Sequence, residues 1–265
     1  NYPFSLGQPG HEATGEVVAV GKGVENFQKG DTVALWQDQG MDRQGCYAEY
    51  VPARTRSLIK VPADLDTEAI ASLELAMCVQ VSFDQIREAF PIEGSRFAIS
   101  GLGPAGLVAL EIAKAYKAGE VIVFDPVESR RELALSIGAD TALNPLDENA
   151  FPQTRKKGEA VDLAIDCTGL NSAVEYLMDR THHMLAVFGV LREPVRFGLN
   201  HWMPGLHLVG YSPHNFQAAE RALHHIIEGD LNLKHLVSKT LPFENYAEGV
   251  QLLREKKAIK VCYKP

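Results

Sequence analysis

The chain has 265 residues, of which 46% are hydrophobic and 23% charged, a composition that permits a substantial core and two domains. The formal net charge is −8 and no lysine- or arginine-rich block opposes it, which argues against a nucleic-acid or membrane-surface partner. No apolar run reaches the roughly 18–20 residues of a membrane helix, and residues 1–10 lack a signal-peptide pattern. We therefore expect a cytoplasmic protein.

The four cysteines, Cys46, Cys78, Cys167 and Cys262, are widely spaced along the chain. Because no Cys-x-x-Cys pair is present, the sequence predicts neither a structural zinc lobe nor a dithiol redox pair. We expect reduced thiols, and all but Cys78 are interpreted as buried small hydrophobic side chains.

The first part of the chain is predicted to be rich in β-structure. Short β-branched runs separated by glycine and charge predict strands over 15–21, 31–36, 46–53 and 57–62. That pattern indicates a small barrel or sheet-rich domain, and helical spacing follows over residues 68–89.

The middle of the chain alternates between the two patterns. Strands are predicted over 96–101, 120–125, 161–167 and 184–190, and helices over 104–117, 127–138 and 171–181. Strands that are apolar throughout, each followed by a helix, indicate an α/β fold with a parallel sheet covered on both faces.

The tail shows helical patterns over 215–229 and 245–257 and a last strand over 259–264. We expect it to return to the first domain. The predicted boundaries are 1–78 for the first domain, 79–212 for the dinucleotide-binding domain and 213–265 for the return.

A glycine-rich turn is the first candidate site. The G-x-G-x-x-G pattern starts where a predicted strand ends and a predicted helix begins, the context that a Rossmann dinucleotide-binding turn requires. Proline suits the first helical position because its missing N–H costs nothing there. The candidate residues of this turn are Gly101, Gly103, Pro104, Ala105 and Gly106.

Asp125 ends the second strand of the alternating region, 19 residues beyond Gly106. A carboxylate at about this distance accepts hydrogen bonds from the adenosine ribose and repels the extra phosphate of NADP. Asp125 therefore favours NAD. Arg130 is interpreted either as a second ribose contact or as a solvated helix residue.

Residues 10–24 match G-H-E-x-x-G-x(5)-G-x-x-V at every fixed position, and Gly30-Asp31-Thr32-Val33 follows. This segment resembles the signature of the zinc-containing alcohol dehydrogenases in the medium-chain dehydrogenase superfamily, of the sorbitol or threonine dehydrogenase kind. With the glycine turn and Ile259-Lys260-Val261, the resemblance covers nearly the whole chain. It implies a Rossmann domain and a discontinuous, β-rich GroES-like catalytic domain.

The resemblance also implies a catalytic zinc. His11 corresponds to a zinc ligand, and Glu12 to a carboxylate that binds the metal or supports a ligand. Relatives of the polyol type supply a further glutamate from a stretch like E-P-L-A-V-A-L-H, which Glu74-Leu75-Ala76-Met77-Cys78-Val79-Gln80 matches if one proline is dropped. Glu74 is therefore the expected ligand and Cys78 the alternative.

For the nicotinamide end, the resemblance implies contacts from backbone groups and from the fourth strand's end. The expected contact residues are Thr168, Gly189, Val190, Leu206 and Leu208. His201, His207 and His214 flank this region and are candidates for a substrate role. Trp202 is predicted to fill core rather than to line a substrate pocket.

Two departures from the family pattern stand out. Relatives carry a few dozen residues before G-H-E, with a cysteine ligand and a Ser or Thr of the proton relay, so we expect this sequence to lack that segment. The four-cysteine structural zinc lobe is also absent, and a short loop from Gly40 to Cys46 is expected in its place.

These observations predict an NAD- and zinc-dependent enzyme that oxidises a small alcohol, polyol or sugar-like secondary hydroxyl to the carbonyl. The resemblance implies a homo-oligomer, either a dimer or a tetramer. Two alternatives stay open: a zinc-free quinone or enoyl reductase of the same superfamily, and a non-catalytic NAD-binding relative.

Overall fold

A computed structural model describes residues 10–39, 43–147, 149–203 and 205–265. The chain divides into two compact units: the residues up to Cys78 with His214–Pro265 form the first unit, and Val79–Pro213 form the second. The predicted loop from Gly40 to Cys46 lies partly outside the described residues. Within those residues, no helix is both long enough and apolar enough to cross a membrane.

The described residues form strands and helices that alternate for much of the chain. The strands are β1 (Thr14–Glu16), β2 (Thr32–Leu35), β3 (Leu58–Lys60), β4 (Arg96–Ser100), β5 (Glu120–Phe124), β6 (Thr141–Leu143), β7 (Val161–Asp166), β8 (Thr181–Val187), β9 (His207–Gly210), β10 (Val237–Pro242) and β11 (Lys260–Lys264). The helices are α1 (Thr67–Ile70), α2 (Leu73–Ala89), α3 (Pro104–Ala115), α4 (Glu128–Ser136), α5 (Asn171–Met178), α6 (Leu199–Trp202), α7 (Phe216–Glu228) and α8 (Tyr246–Arg254).

The second unit contains a six-stranded parallel sheet in the order β6-β5-β4-β7-β8-β9. Numbered along the unit, this is the Rossmann order 3-2-1-4-5-6. The central strand β4 is buried from Phe97 to Ser100, as a strand covered on both faces must be. The predicted doubly wound α/β fold is confirmed.

One face of this sheet packs on α5. Val174, Leu177 and Met178 of that helix are fully buried and join one apolar cluster. The members of this cluster from the strands and loops are Ala98, Ile122, Phe124, Phe151, Val161, Ala164, Leu185 and Leu206. The spacing of the α5 residues, three and four apart, is what places them on a single helix face.

The first unit contains two small sheets. Strands β1, β2 and β3 form an antiparallel sheet in that order, and β10 pairs in parallel with β11. The predicted β-rich first domain and the strand near the C-terminus are therefore present in this unit. In the same unit, α1 packs on β1 and on α7.

Residues 46–53 do not form the predicted strand. They follow an irregular path, and the Tyr47 ring packs against Tyr246 and Tyr263 with centroid distances of 5.5 and 5.7 Å. Contacts between aromatic rings are thus present where hydrogen bonds between paired strands were expected. The sequence analysis also missed β6 and β9, which lie at the two edges of the parallel sheet. Edge strands need less apolar sequence because one side of each has no neighbouring strand.

Candidate active site

The turn between β4 and α3 is closed by two glycines. Gly101 has φ +86°, and a Cβ on Gly106 would lie 1.8 Å from the Gly101 carbonyl oxygen. At Gly103 a Cβ would meet no atom within 4 Å. The turn therefore leaves open space at the N-terminus of α3, whose first residue is Pro104 and where backbone N–H groups favour phosphate.

Asp125 ties this turn to the end of β5. Its carboxylate is almost fully buried and accepts hydrogen bonds from the backbone N–H groups of Leu102 and Val127, both at 2.8 Å. Arg130 Nη1 lies 3.7 Å from Asp125 Oδ2, while Arg131 Nη1 donates to the Asp125 carbonyl at 2.8 Å. The sequence analysis missed this structural role because it depends on which N–H groups surround the carboxylate.

A second loop follows β7 and is organised by the buried Asp166. This carboxylate accepts hydrogen bonds from Thr168 Oγ1 at 2.6 Å and from the Gly169 N–H at 2.9 Å. Burial raises the pKa of Asp166, and these hydrogen bonds oppose that rise. The Gly189 N–H donates to the Asp166 carbonyl at 2.9 Å. Thr168 and Gly189 are thus held at the carboxyl ends of their strands, where ligands of such sheets bind.

The other residues expected near the nicotinamide differ in accessibility. Val190 is largely exposed and Leu208 partly so. Leu206 instead packs its side chain into the core, and its N–H donates to the His201 carbonyl at 2.8 Å. A cofactor contact through the Leu206 N–H is therefore closed off in this arrangement.

The side chain of His201 is engaged within the fold, whereas that of Trp202 is exposed. His201 Nε2 lies 2.8 Å from Asp179 Oδ1, and His201 Nδ1 accepts a hydrogen bond from the Gly198 N–H at 3.0 Å. Both ring nitrogens are engaged, so His201 holds α6 in place. Trp202 is 67% exposed, and the prediction that it fills core is wrong.

The predicted metal ligands come together in the first unit. His11 Nε2 lies 3.7 Å from Glu74 Oε2, and donor atoms of His11, Glu12 and Glu74 all lie within 4.8 Å of one another. The Glu74 side chain is 7% exposed, whereas that of His11 is 53% exposed. Imidazole nitrogen and carboxylate oxygen are donors that zinc accepts, so the residues fit the metal that the resemblance implies.

Glu12 forms an ion pair with Lys260 of β11. The same ammonium donates to Ser72 Oγ at 2.9 Å. Because its charge is already paired, Glu12 fits a supporting role better than a direct bond to a metal.

Cys78 and His214 complete this cluster on its other side. Cys78 lies four residues after Glu74 on α2, and its thiol donates to Glu74 Oε1 at 3.3 Å. His214 Nε2 lies 3.4 Å from Cys78 Sγ. Glu74 and Cys78 are therefore neighbours, and His214 belongs to the first unit with them. The sequence analysis missed this grouping because 136 residues separate Cys78 from His214.

Burial raises the pKa of the Glu74 carboxyl above its ordinary value, and the nearby charge of Glu12 raises it further. His11, the Cys78 hydrogen bond and His214 act in the opposite direction. A buried carboxylate of this kind is disfavoured unless a positive charge compensates it.

Cys46 offers a check on this electrostatic environment. Burial raises the pKa of its thiol to about 11, and the charge of Glu12 contributes. We expect iodoacetamide to alkylate Cys46 slowly at neutral pH and faster as the pH rises toward 11, because the thiolate is the nucleophile. Peptide mass spectrometry after timed alkylation measures this rate, and fast alkylation at neutral pH would contradict the prediction.

Comparisons with known proteins agree with this architecture. Residues 1–63 match the family model of the alcohol dehydrogenase GroES-like domain, and residues 104–228 match that of the zinc-binding dehydrogenases. The chain is similar to the L-threonine 3-dehydrogenase of Pyrococcus horikoshii, with 28% identity covering 96% of this chain and 80% of that protein.

Two solved structures share the fold. The alcohol dehydrogenase TADH from Thermus sp. ATN1 superimposes with a TM-score of 0.87 at 24% identity, covering 99% of this chain and 86% of that one. A zinc-binding dehydrogenase from Sinorhizobium meliloti, solved with NADP, gives a TM-score of 0.88 at 21% identity, covering 100% of this chain and 85% of that one.

Together, the fold and the matched families define an oxidoreductase with a Rossmann domain and a GroES-like domain. The chain belongs to the zinc-type medium-chain dehydrogenases and is an alcohol dehydrogenase-like enzyme. Zinc and a nicotinamide dinucleotide are the cofactors that this family membership implies.

Proposed function

We propose that this protein uses zinc and NAD to oxidise a secondary hydroxyl of a small alcohol, polyol or sugar-like molecule to the carbonyl. The observation that carries the proposal is the convergence of His11, Glu12 and Glu74, with donor atoms within 4.8 Å of one another. L-threonine 3-dehydrogenase, the name of the similar proteins, adds L-threonine to the candidate substrates.

In this proposal, the metal ligands belong to the first unit and the dinucleotide-binding residues to the second. When bound, zinc favours loss of the alcohol's proton and NAD accepts the hydride. His11 and Glu74 hold the metal, with Glu12 as the paired carboxylate beside them. In the second unit, the turn at Gly101, Gly103, Pro104, Ala105 and Gly106 surrounds the pyrophosphate, which accepts hydrogen bonds from backbone N–H groups at the start of α3. Pro104 has no N–H and contributes its fixed helical φ instead.

The remaining cofactor contacts are also assigned in this proposal. Asp125 accepts hydrogen bonds from the adenosine ribose, with Arg130 at its edge. Thr168, Gly189, Val190 and Leu208 line the nicotinamide end, and Leu206 supports them from the core. The zinc-free reductase alternative gives no role to the His11 and Glu74 pair, which speaks against it.

Asp125→Asn should weaken NAD binding about tenfold or more and leave NADP binding unchanged or improved. The amide keeps one oxygen acceptor for the surrounding N–H groups but removes the charge that repels an extra phosphate. Titration of both dinucleotides by fluorescence measures the change. Glu132→Gln, which changes an exposed residue of α4, is the control. Equal NAD affinity in wild type and Asp125→Asn would contradict the assignment.

A turnover assay tests the function itself. The zinc-loaded protein is expected to reduce NAD with at least one member of a panel containing L-threonine, a vicinal diol, a sugar polyol and a simple secondary alcohol. Chelation should remove this activity and zinc should restore it. Binding of NAD without turnover of any panel member would favour the non-catalytic alternative, and activity that survives complete metal removal would favour the zinc-free one.

A further inference from the structure

The two oxygens of the buried Glu74 carboxylate face different partners. Oε2 lies 3.7 Å from His11 Nε2, whereas Oε1 accepts a hydrogen bond from the Cys78 thiol at 3.3 Å. A buried carboxylate has lost its hydration shell, so protein donors must take the place of water around it. The thiol therefore engages one oxygen of Glu74, while the other oxygen is the one that faces His11.

The position of Cys78 on α2 fixes this contact. Cys78 lies four residues after Glu74, so the two side chains lie on the same face of the helix, and both are buried. A thiol is a small side chain that is readily buried, and it can donate one weak hydrogen bond while its sulfur accepts another. Rotation of the Glu74 carboxylate would break the hydrogen bond to Oε1, so the thiol restricts that rotation.

His214 extends this contact into a chain of hydrogen bonds. His214 Nε2 lies 3.4 Å from Cys78 Sγ but 4.0 Å from Glu74 Oε1, and the second distance is longer than a hydrogen bond. Because the thiol proton is donated to Glu74, the sulfur is left as the acceptor and His214 Nε2 is the donor. His214 therefore acts on Glu74 through Cys78, in a chain whose members polarise one another.

The backbone beside His214 is held by the start of α7. The next residue, Asn215, caps this helix, and its side-chain oxygen accepts a hydrogen bond from the Ala218 N–H at 2.8 Å. The chain of hydrogen bonds thus joins the start of α7 to the first part of α2 within one unit.

We propose that Cys78 and His214 are positioning residues that hold Oε1 of Glu74, so that Oε2 is presented to the metal bound by His11 in the proposed function. The proposal rests on that function for the identity of the metal, and Cys78 and His214 themselves do not bind it. Partners of this kind orient the ligands of a metal and raise its affinity.

Zinc titration against a chromophoric chelator tests the thiol. Cys78→Ala should weaken zinc binding roughly 10- to 100-fold, the usual effect of losing an outer-shell partner. Cys78→Ser keeps a donor and an acceptor and should stay within a few-fold of wild type, as should the matched Cys262→Ala. Zinc affinity that is unchanged in Cys78→Ala would overturn the proposal.

A double-mutant cycle tests whether His214 acts through Cys78. His214→Leu should weaken zinc binding about tenfold when Cys78 is present and cause no further loss in Cys78→Ala. His224→Leu, which changes an exposed histidine of α7, is the control and should not alter zinc binding. Full additivity of the two losses would overturn the chain. Circular dichroism checks folding, and His214→Leu changes a partly exposed side chain, so it remains a test if Cys78→Ala does not fold.

Cobalt spectroscopy separates a positioning role from direct binding. In the whole chain loaded with Co²⁺, Cys78→Ala should shift the visible d–d bands, because the orientation of Glu74 toward the metal changes. It should not remove any thiolate-to-cobalt charge-transfer band. Loss of such a band in Cys78→Ala, with its retention in Cys262→Ala, would overturn the proposal because Cys78 would then be a ligand.

The outcomes also separate this proposal from the proposed function. Zinc-dependent turnover, together with unchanged zinc affinity in Cys78→Ala and His214→Leu, overturns the positioning role and leaves the function standing. Weakened zinc binding in both variants, without turnover of any alcohol by the wild type, supports the positioning role and contradicts the function.

Discussion

Gly106→Ala is expected to destabilise the second unit by about 3 kcal/mol or more, because the added Cβ would lie 1.8 Å from the Gly101 carbonyl oxygen. That oxygen belongs to the backbone, so no side-chain rotation can relieve the overlap. The close packing of α3 on β4 would have to open. Urea unfolding followed by circular dichroism measures the loss.

Gly103→Ala is the matched control for Gly106→Ala, because both residues lie in the same glycine-rich turn. Its Cβ would meet no atom within 4 Å, so the free energy of unfolding should change by less than about 1 kcal/mol. Dinucleotide affinity should nevertheless fall about tenfold or more, because the Cβ would enter the space proposed for the pyrophosphate. Wild-type stability in Gly106→Ala, or wild-type NAD affinity in Gly103→Ala, would contradict the description of this turn.

Glu74→Gln is expected to abolish zinc retention and lower metal-dependent turnover by roughly 10³-fold, which corresponds to the several kilocalories per mole that a Lewis-acid metal supplies. Glu74 is the residue shared by the two groups of possible metal ligands, so its neutral replacement weakens each group. These groups are His11 with Glu12 and Glu74, and Glu74 with Cys78 and His214. Metal analysis after gel filtration, together with the turnover assay, measures the effect. Glu228→Gln, at the exposed end of α7, is the control and should retain zinc.

The stability of the same variant carries a second expectation. Burial raises the pKa of Glu74 in the folded chain, so the folded state holds that proton more tightly than the unfolded state. Without metal, wild-type stability should therefore fall as the pH rises above the ordinary pKa of glutamate, and Glu74→Gln should lose this decline. An identical pH dependence in the two proteins would show that burial does not raise the pKa of the Glu74 carboxyl.

Local sequence patterns were sufficient to predict the central strands of the parallel sheet and the glycine-rich turn. The strands β4, β5 and β7 are apolar on both faces, and the run of Gly101 to Gly106 follows β4 directly. These features depend on neighbours in sequence, because a buried strand and the turn after it are encoded in consecutive residues. Residues 46–53 show the limit, since Tyr47 contacts the rings of Tyr246 and Tyr263, which are distant in sequence.

The sequence by itself determined the central strands of the parallel sheet and the turn proposed for the dinucleotide, and its resemblance to the family indicated His11 and Glu74 as candidate ligands. Only the tertiary structure decided that Lys260 pairs with Glu12 and that His214 lies beside Cys78. The physical reason is the range of the information. A helix or strand is encoded by residues a few positions apart, whereas a donor cluster forms where segments separated by more than a hundred residues pack into one unit.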